Sequence, residues 1–171
     1  FATSHGFSGR KSGGSHSLGV SVLAGEGTGM ERDYDGDGAV FLADLRTAED
    51  IGRVAGERTV RRLNPRKMAS TKAPVVFEQR LASSLLSPLA GAANGASIAR
   101  GTSFLLEKLG EQLFSPSVVV RDDPLRPRGF GSKPFDGEGV TCAAFDLIAE
   151  GVLTQWFLNA AQAKQLGLET N

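Results

Sequence analysis

The sequence predicts an α+β fold built from two half-domains, and three observations carry that prediction. Residues 17–24 alternate small or polar with apolar side chains, and after a glycine-punctuated turn residues 30–40 are expected to return as a second strand, giving a β-hairpin. The stretches 47–63 and 81–99 instead repeat their apolar residues at helical spacing. Between them PRKMASTKAP, residues 65–74, is polar and bounded by Pro65 and Pro74, as a boundary between compact units should be.

With 171 residues the chain fits one moderate domain or pieces of two, and its 40% hydrophobic and 22% charged content is that of a globular protein. Lysine plus arginine balance aspartate plus glutamate at 19 each, so neither nucleic acid nor an anionic membrane is an expected partner. The single cysteine, Cys142, excludes an internal disulfide framework and fits a reducing compartment. No basic, apolar leader opens the chain, which starts without a methionine at FATSHGFSGRKSGGS and reads as a fragment or a processed product.

Residues 1–16, rich in glycine and serine, predict a loop or a hairpin end; His5 and His16 have no acidic or thiol neighbour at a zinc-like spacing. In the second strand of the hairpin, Asp33, Asp35, Asp37 and Gly38 occupy the first, third, fifth and sixth positions of a calcium loop, and Asp44 the twelfth. The incoming segment is strand-like, however, position twelve is an aspartate in place of a bidentate glutamate, and no second copy exists. An acidic, solvated turn is therefore the favoured reading over calcium.

Thr47 is the expected cap of the next helix, with Glu49 and Asp50 in its first turn and Arg58, Arg61 and Arg62 near its end, which suits the helix dipole. Ile51, Val54, Ala55, Thr59 and Leu63 form its buried stripe, and Asn64-Pro65 stops it. The cations from Arg58 to Lys67 lack interleaved aromatics and read as a solvated helix end in place of a phosphate site.

Val75–Phe77 predicts a short strand feeding a long buried helix whose face is Leu81, Leu85 and Leu89. Pro88 should kink or restart that helix, while Gly91 and Gly95 leave a thin surface for close backbone approach. The run 81–99 is uncharged, but its serines, Pro88, Asn94 and glycines make a bilayer span unfavourable. Further on, a short helix is expected over 104–114, a strand over 117–120, turns over 121–139, and a hairpin of 145–149 with 152–158 around Glu150-Gly151. Trp156 is assigned to the core, and 160–166 begins a last helix. Asp136 and Glu138 read as a tight turn.

No catalytic pattern emerges from these residues alone. Cys142 has no histidine nearby, a GxSxG elbow is absent, and GFGSKP lacks phosphate-loop spacing.

Taken together, MERDYD, RRLNPRK, APVVF, SSLLSPLAGAANGASIARGTSFL, KPFDGEGV, EGVLTQW and AKQLGLETN resemble the TldD/PmbA family, once called modulators of DNA gyrase, in its PmbA or TldE branch. The resemblance implies the end of an N-terminal α/β domain, residues 1–66, followed by the start of a β-rich C-terminal domain, residues 67–171. It implies a subunit of a cytoplasmic TldD/TldE metalloprotease heterodimer acting on unfolded or small peptides, in peptide antibiotic maturation and antitoxin turnover. In the TldD branch the helix after APVVF carries HExxxH, two metal ligands and a general base. By position the first histidine corresponds to Ser87, the glutamate to Pro88 and the second histidine to Ala92. The expectation is thus a chain without catalytic or metal residues, with a zinc-type metal in a TldD-like partner; the alternatives are a free-standing peptidase or a calcium module on Asp33, Asp35, Asp37 and Asp44.

Overall fold

The computed structural model describes residues 1–170, in a mixed helix and strand fold of two compact units. The smaller holds Ser12–Ala73 with Arg128–Phe130; the larger holds Phe1–Lys11, Pro74–Pro127 and the described residues from Gly131 onward.

In the smaller unit β1 (His16–Ala24) and β2 (Glu31–Ala39) form the antiparallel hairpin read from the sequence, from His16 opposite Ala39 to Ala24 opposite Glu31. Its turn requires a glycine at position 25, where φ is +94° and a Cβ would lie 2.7 Å from the Gly29 carbonyl oxygen. The helix α1 (Ala48–Arg61) is capped by Thr47, whose hydroxyl accepts from the Asp50 N–H at 3.2 Å. Ile51, Ala55 and Thr59 are its buried stripe, and the Thr59 hydroxyl donates to the Ala55 carbonyl at 2.7 Å, so the buried polar group is satisfied.

The acidic segment departs from the expected turn. Asp33, Asp35 and Asp37 lie on β2, and Asp44 ends a 3-10 turn over Leu42–Asp44. Across the ladder Asp33 faces Val22 and Asp35 faces Val20. Both aspartates are buried, with 7% and 4% of their surface exposed. Aspartate and glycine disfavour strands, yet the partner strand and the cations of α1 override that preference.

The larger unit contains α2 (Gln79–Ala92), α3 (Gly95–Ala99), a sheet ordered β3 (Val120–Asp122), β4 (Phe145–Ala149), β5 (Val152–Leu153), and α4 (Ala160–Leu166). Ile148 and Leu153 are fully buried at its centre, joined by Ile98, Leu105, Leu147 and, as expected, Trp156. Glu150 and Gly151 take φ of +48° and +82° between β4 and β5, the double left-handed geometry of the tightest hairpin turns. At the N-terminus, Ala2 bridges Ser8, and the Phe7 ring meets Phe135 edge-on at 5.0 Å.

Several expectations are corrected here. Val75–Phe77 is not a strand: no neighbouring strand accepts its backbone bonds among the described residues, and Val76 is 94% exposed. The helix expected over 81–99 is two helices, and its leucine face is open, with Leu81, Leu85 and Leu86 each about half exposed. Only its end is packed, through Leu89 and Ala92. Pro88 neither stops nor restarts α2; the break comes at Asn94, whose side chain accepts from the Ala96 N–H at 2.9 Å. The carbonyl that Pro88 leaves unbonded belongs to exposed Ser84, where water can serve it.

Residues 104–114 form turns and no helix, because their backbone is committed elsewhere. The Gly110 N–H donates to the Leu153 carbonyl at 2.8 Å, and the Leu153 N–H returns to Glu111 at 3.1 Å. The strand expected over 117–120 begins at Val120, and β5 is shorter than 152–158. Past β5 the Phe157 N–H bonds the Ala93 carbonyl at 2.9 Å, and the Phe157 carbonyl accepts from Gly95 at 2.8 Å. The close approach foreseen at Gly95 is real, since a Cβ there would stand 2.7 Å from the Phe157 oxygen; Gly91 has nothing within 4 Å. Among the described residues no helix is long and apolar enough to cross a membrane.

Candidate functional site

The sequence places the first candidate site on α2, and the structure defines its chemistry. Ser87 is exposed and its hydroxyl donates to the Ser83 carbonyl at 3.2 Å. Pro88 presents a saturated ring within the helix. Ala92 is half-buried against the core, and its carbonyl accepts from the Ser103 hydroxyl at 2.6 Å. A hydroxyl, a pyrrolidine and a methyl group supply neither imidazole nor carboxylate, so these positions do not fit a zinc-type metal. Among the described residues no group of three or more His, Cys, Asp and Glu side chains could hold a metal ion.

The second candidate, the aspartate series, is an ion-pair ladder. Asp35 sits between Arg58 Nη1 at 2.5 Å and Arg46 Nη1 at 2.8 Å. Asp37 accepts from the Arg46 and Gly38 backbone N–H groups at 2.8 and 2.9 Å. Asp33 accepts from the Tyr34 N–H at 2.8 Å and lies 3.7 Å from Arg62, and Asp44 pairs with Arg128, whose guanidinium stands 4.7 Å over the Phe41 ring. This arrangement does not fit the calcium alternative: a strand holds three of the carboxylates apart, and arginines already pair with the buried ones. The solvated helix end is corrected, since Arg58 and Arg62 are partners of this ladder.

Burial is the largest influence on Asp35 and opposes its ionisation, but hydrogen bonds and charge from Arg46 and Arg58 together outweigh it and hold the carboxyl below the ordinary carboxylate range. Asp50 is lowered as well, first by its hydrogen bond from Arg46 and then by that from Arg53. Sequence reasoning missed this network. Its signal was present in the alternate spacing of Asp33, Asp35 and Asp37 and the four-residue spacing of Arg58 and Arg62, which place charges on facing surfaces of strand and helix.

Sequence reasoning also missed a cleft of about 450 Å³ in the larger unit. Phe145 and Phe157, with ring centroids 5.5 Å apart, line it together with Asn94, Asn159 and Gln162; Asp122, Lys133 and Asp136 supply charge, and Cys142 stands among them. The Asp136 carboxylate holds the expected turn, accepting from the Glu138 and Val140 N–H groups at 2.8 and 2.9 Å.

Residues 1–63 match the model of the PmbA/TldA metallopeptidase central domain, and residues 70–171 match that of its C-terminal domain. The chain is 39% identical over 170 residues to Metalloprotease PmbA of Escherichia coli O157:H7, an alignment covering 99% of this chain and 38% of that protein. It is 31% identical to a Metalloprotease PmbA homolog of Buchnera aphidicola over 87% of this chain and 33% of the relative. The chain thus spans little more than a third of the curated relatives it matches. Among solved structures, a Bacteroides thetaiotaomicron protein described as a modulator of DNA gyrase superposes with a TM-score of 0.91 at 31% identity, over 98% of this chain and 38% of that one. TldE of Thermococcus kodakarensis shares the fold, with a TM-score of 0.74 at 23% identity over the same shares.

Proposed function

The chain belongs to the PmbA/TldA metallopeptidase family, and from that premise we propose that it is part of a TldE-type subunit that shapes a peptide path while a TldD-like partner holds the metal. The observation that carries this reading is the chemistry of α2. Where the metal-binding branch would present two imidazoles and a carboxylate, Ser87, Pro88 and Ala92 present none. The name of the Escherichia coli relative, a metalloprotease, supplies the reaction class in which such a subunit would act. In this reading residues 1–66 end an α/β domain and residues 67–171 open a β-rich one, the substrates are unfolded or small peptides, and the compartment is the cytoplasm.

No step of peptide hydrolysis is assigned to residues of this chain. Its contribution is positional, through the packed end of α2 and the sheet behind it. The full-length protein should purify without stoichiometric zinc by metal analysis, and it should cleave casein only after a TldD-type partner is added. Robust cleavage by the protein alone would overturn the reading.

A further inference from the structure

We propose that the cleft beside Phe145 and Phe157 binds a short extended peptide segment, taking an apolar side chain on the ring pair and backbone carbonyls on the amides of Asn94, Asn159 and Gln162. The proposal deepens the reading of the chain as a peptide-handling subunit and rests on it. Three observations support it, each independent of the α2 positions.

The amides are oriented by their own helices. Asn94 spends its side-chain carbonyl on the Ala96 N–H at 2.9 Å, Asn159 spends its own on the Gln162 N–H at 2.9 Å, and Gln162 returns its carbonyl to the Asn159 N–H at 3.3 Å. Each carbonyl is thereby fixed as an acceptor, which leaves three NH₂ groups as donors with no protein acceptor among the described residues. Three such donors on one cleft match a ligand rich in carbonyl oxygens. The tilted Phe145 and Phe157 rings offer an apolar surface between them. A volume of about 450 Å³ lies within the range of small-ligand clefts. An extended peptide combines all three demands, because its carbonyls recur at fixed spacing while its side chains alternate to either face.

Cys142, the one cysteine of the chain, is half-buried and lines the cleft, so its alkylation reports occupancy. The rate of reaction with iodoacetamide is measured on the full chain against rising concentrations of blocked tripeptides, acetyl-Ala-Leu-Ala-amide and acetyl-Gly-Gly-Gly-amide. The leucine peptide should slow alkylation saturably by about five-fold or more, and the triglycine should do so only at about ten-fold higher concentration, since it offers the rings no apolar side chain. The double variant Asn94→Asp, Asn159→Asp keeps both helix caps, because aspartate caps as well as asparagine, but removes two donors. It should keep its thermal midpoint while the half-protecting concentration rises about ten-fold.

Unslowed alkylation at up to about 10 mM leucine peptide, far above the concentrations at which specific sites fill, would overturn the proposal. So would equal protection of the double variant and the parent chain, or equal protection by the two peptides. The assay contains neither partner nor metal. Its failure therefore leaves partner-dependent casein cleavage standing, and failure of that cleavage leaves the binding result standing.

Discussion

At the residue scale the most consequential side chain is Asp35. It is 4% exposed and held by two guanidinium groups that keep about a third or a quarter of their own surface in water. Replacing it with alanine leaves Arg46 and Arg58 facing an apolar gap, and should cost about 3 kcal/mol in urea unfolding, the low end for breaking a buried pair because both partners remain partly hydrated. The sign of its pH dependence follows from the lowered carboxyl pKa. In the unfolded chain Asp35 titrates near 3.9, so its stabilisation is complete above about pH 5 and declines as pH falls through the unfolded value toward the folded one. Acid unfolding of Asp35→Asn, followed by circular dichroism, should show a shallower loss of stability below about pH 4 than the parent chain.

At the scale of elements, α2 and β4 make opposite predictions. Ile148 on β4 is fully buried, and Ile148→Ala should cost about 2–5 kcal/mol. Leu85 on α2 is 54% exposed, and Leu85→Gln should change the unfolding free energy of this chain by no more than about 0.5 kcal/mol. The contrast explains what the sequence disclosed. The β1–β2 hairpin, α1 and the β4–β5 turn were legible because their signals are local: the glycine-punctuated turn at Gly25, the Thr47 cap and Glu150-Gly151, and the structure shows that α4 too is closed locally, by the reciprocal Asn159–Gln162 cap. The run from Phe104 to Phe114 has helical spacing, yet its backbone bonds to Leu153 and Gly151 are remote in sequence and left no trace in it. Val75–Phe77 has the composition of a strand, but composition does not name a pairing partner. The candidate site divides the same way. Ser87, Pro88 and Ala92 were singled out only through the family resemblance, whereas the cleft gathers Asn94, Cys142 and Asn159 from separate segments and no local pattern marks it.

For the whole molecule, the polar stretch after α1 is where the chain passes from one unit to the other. Arg66, Lys67 and Lys72 are exposed and lie outside every helix and strand, so brief trypsin digestion should cut at these sites before any site inside α1, as read by mass spectrometry. An initial cut within α1, at Arg53 or Arg58, would contradict the division of the chain into two units. The reciprocal bonds of Phe157 with Ala93 and Gly95 have a kinetic meaning as well. They can form only after the intervening chain has closed into a large loop, whereas β1, β2 and α1 follow one another directly along the chain. Local contacts form quickly and remote ones wait on loop closure. Refolding from urea should therefore be biphasic, with the hairpin and α1 acquired early and the single tryptophan, Trp156, reporting the slower burial of the remaining core.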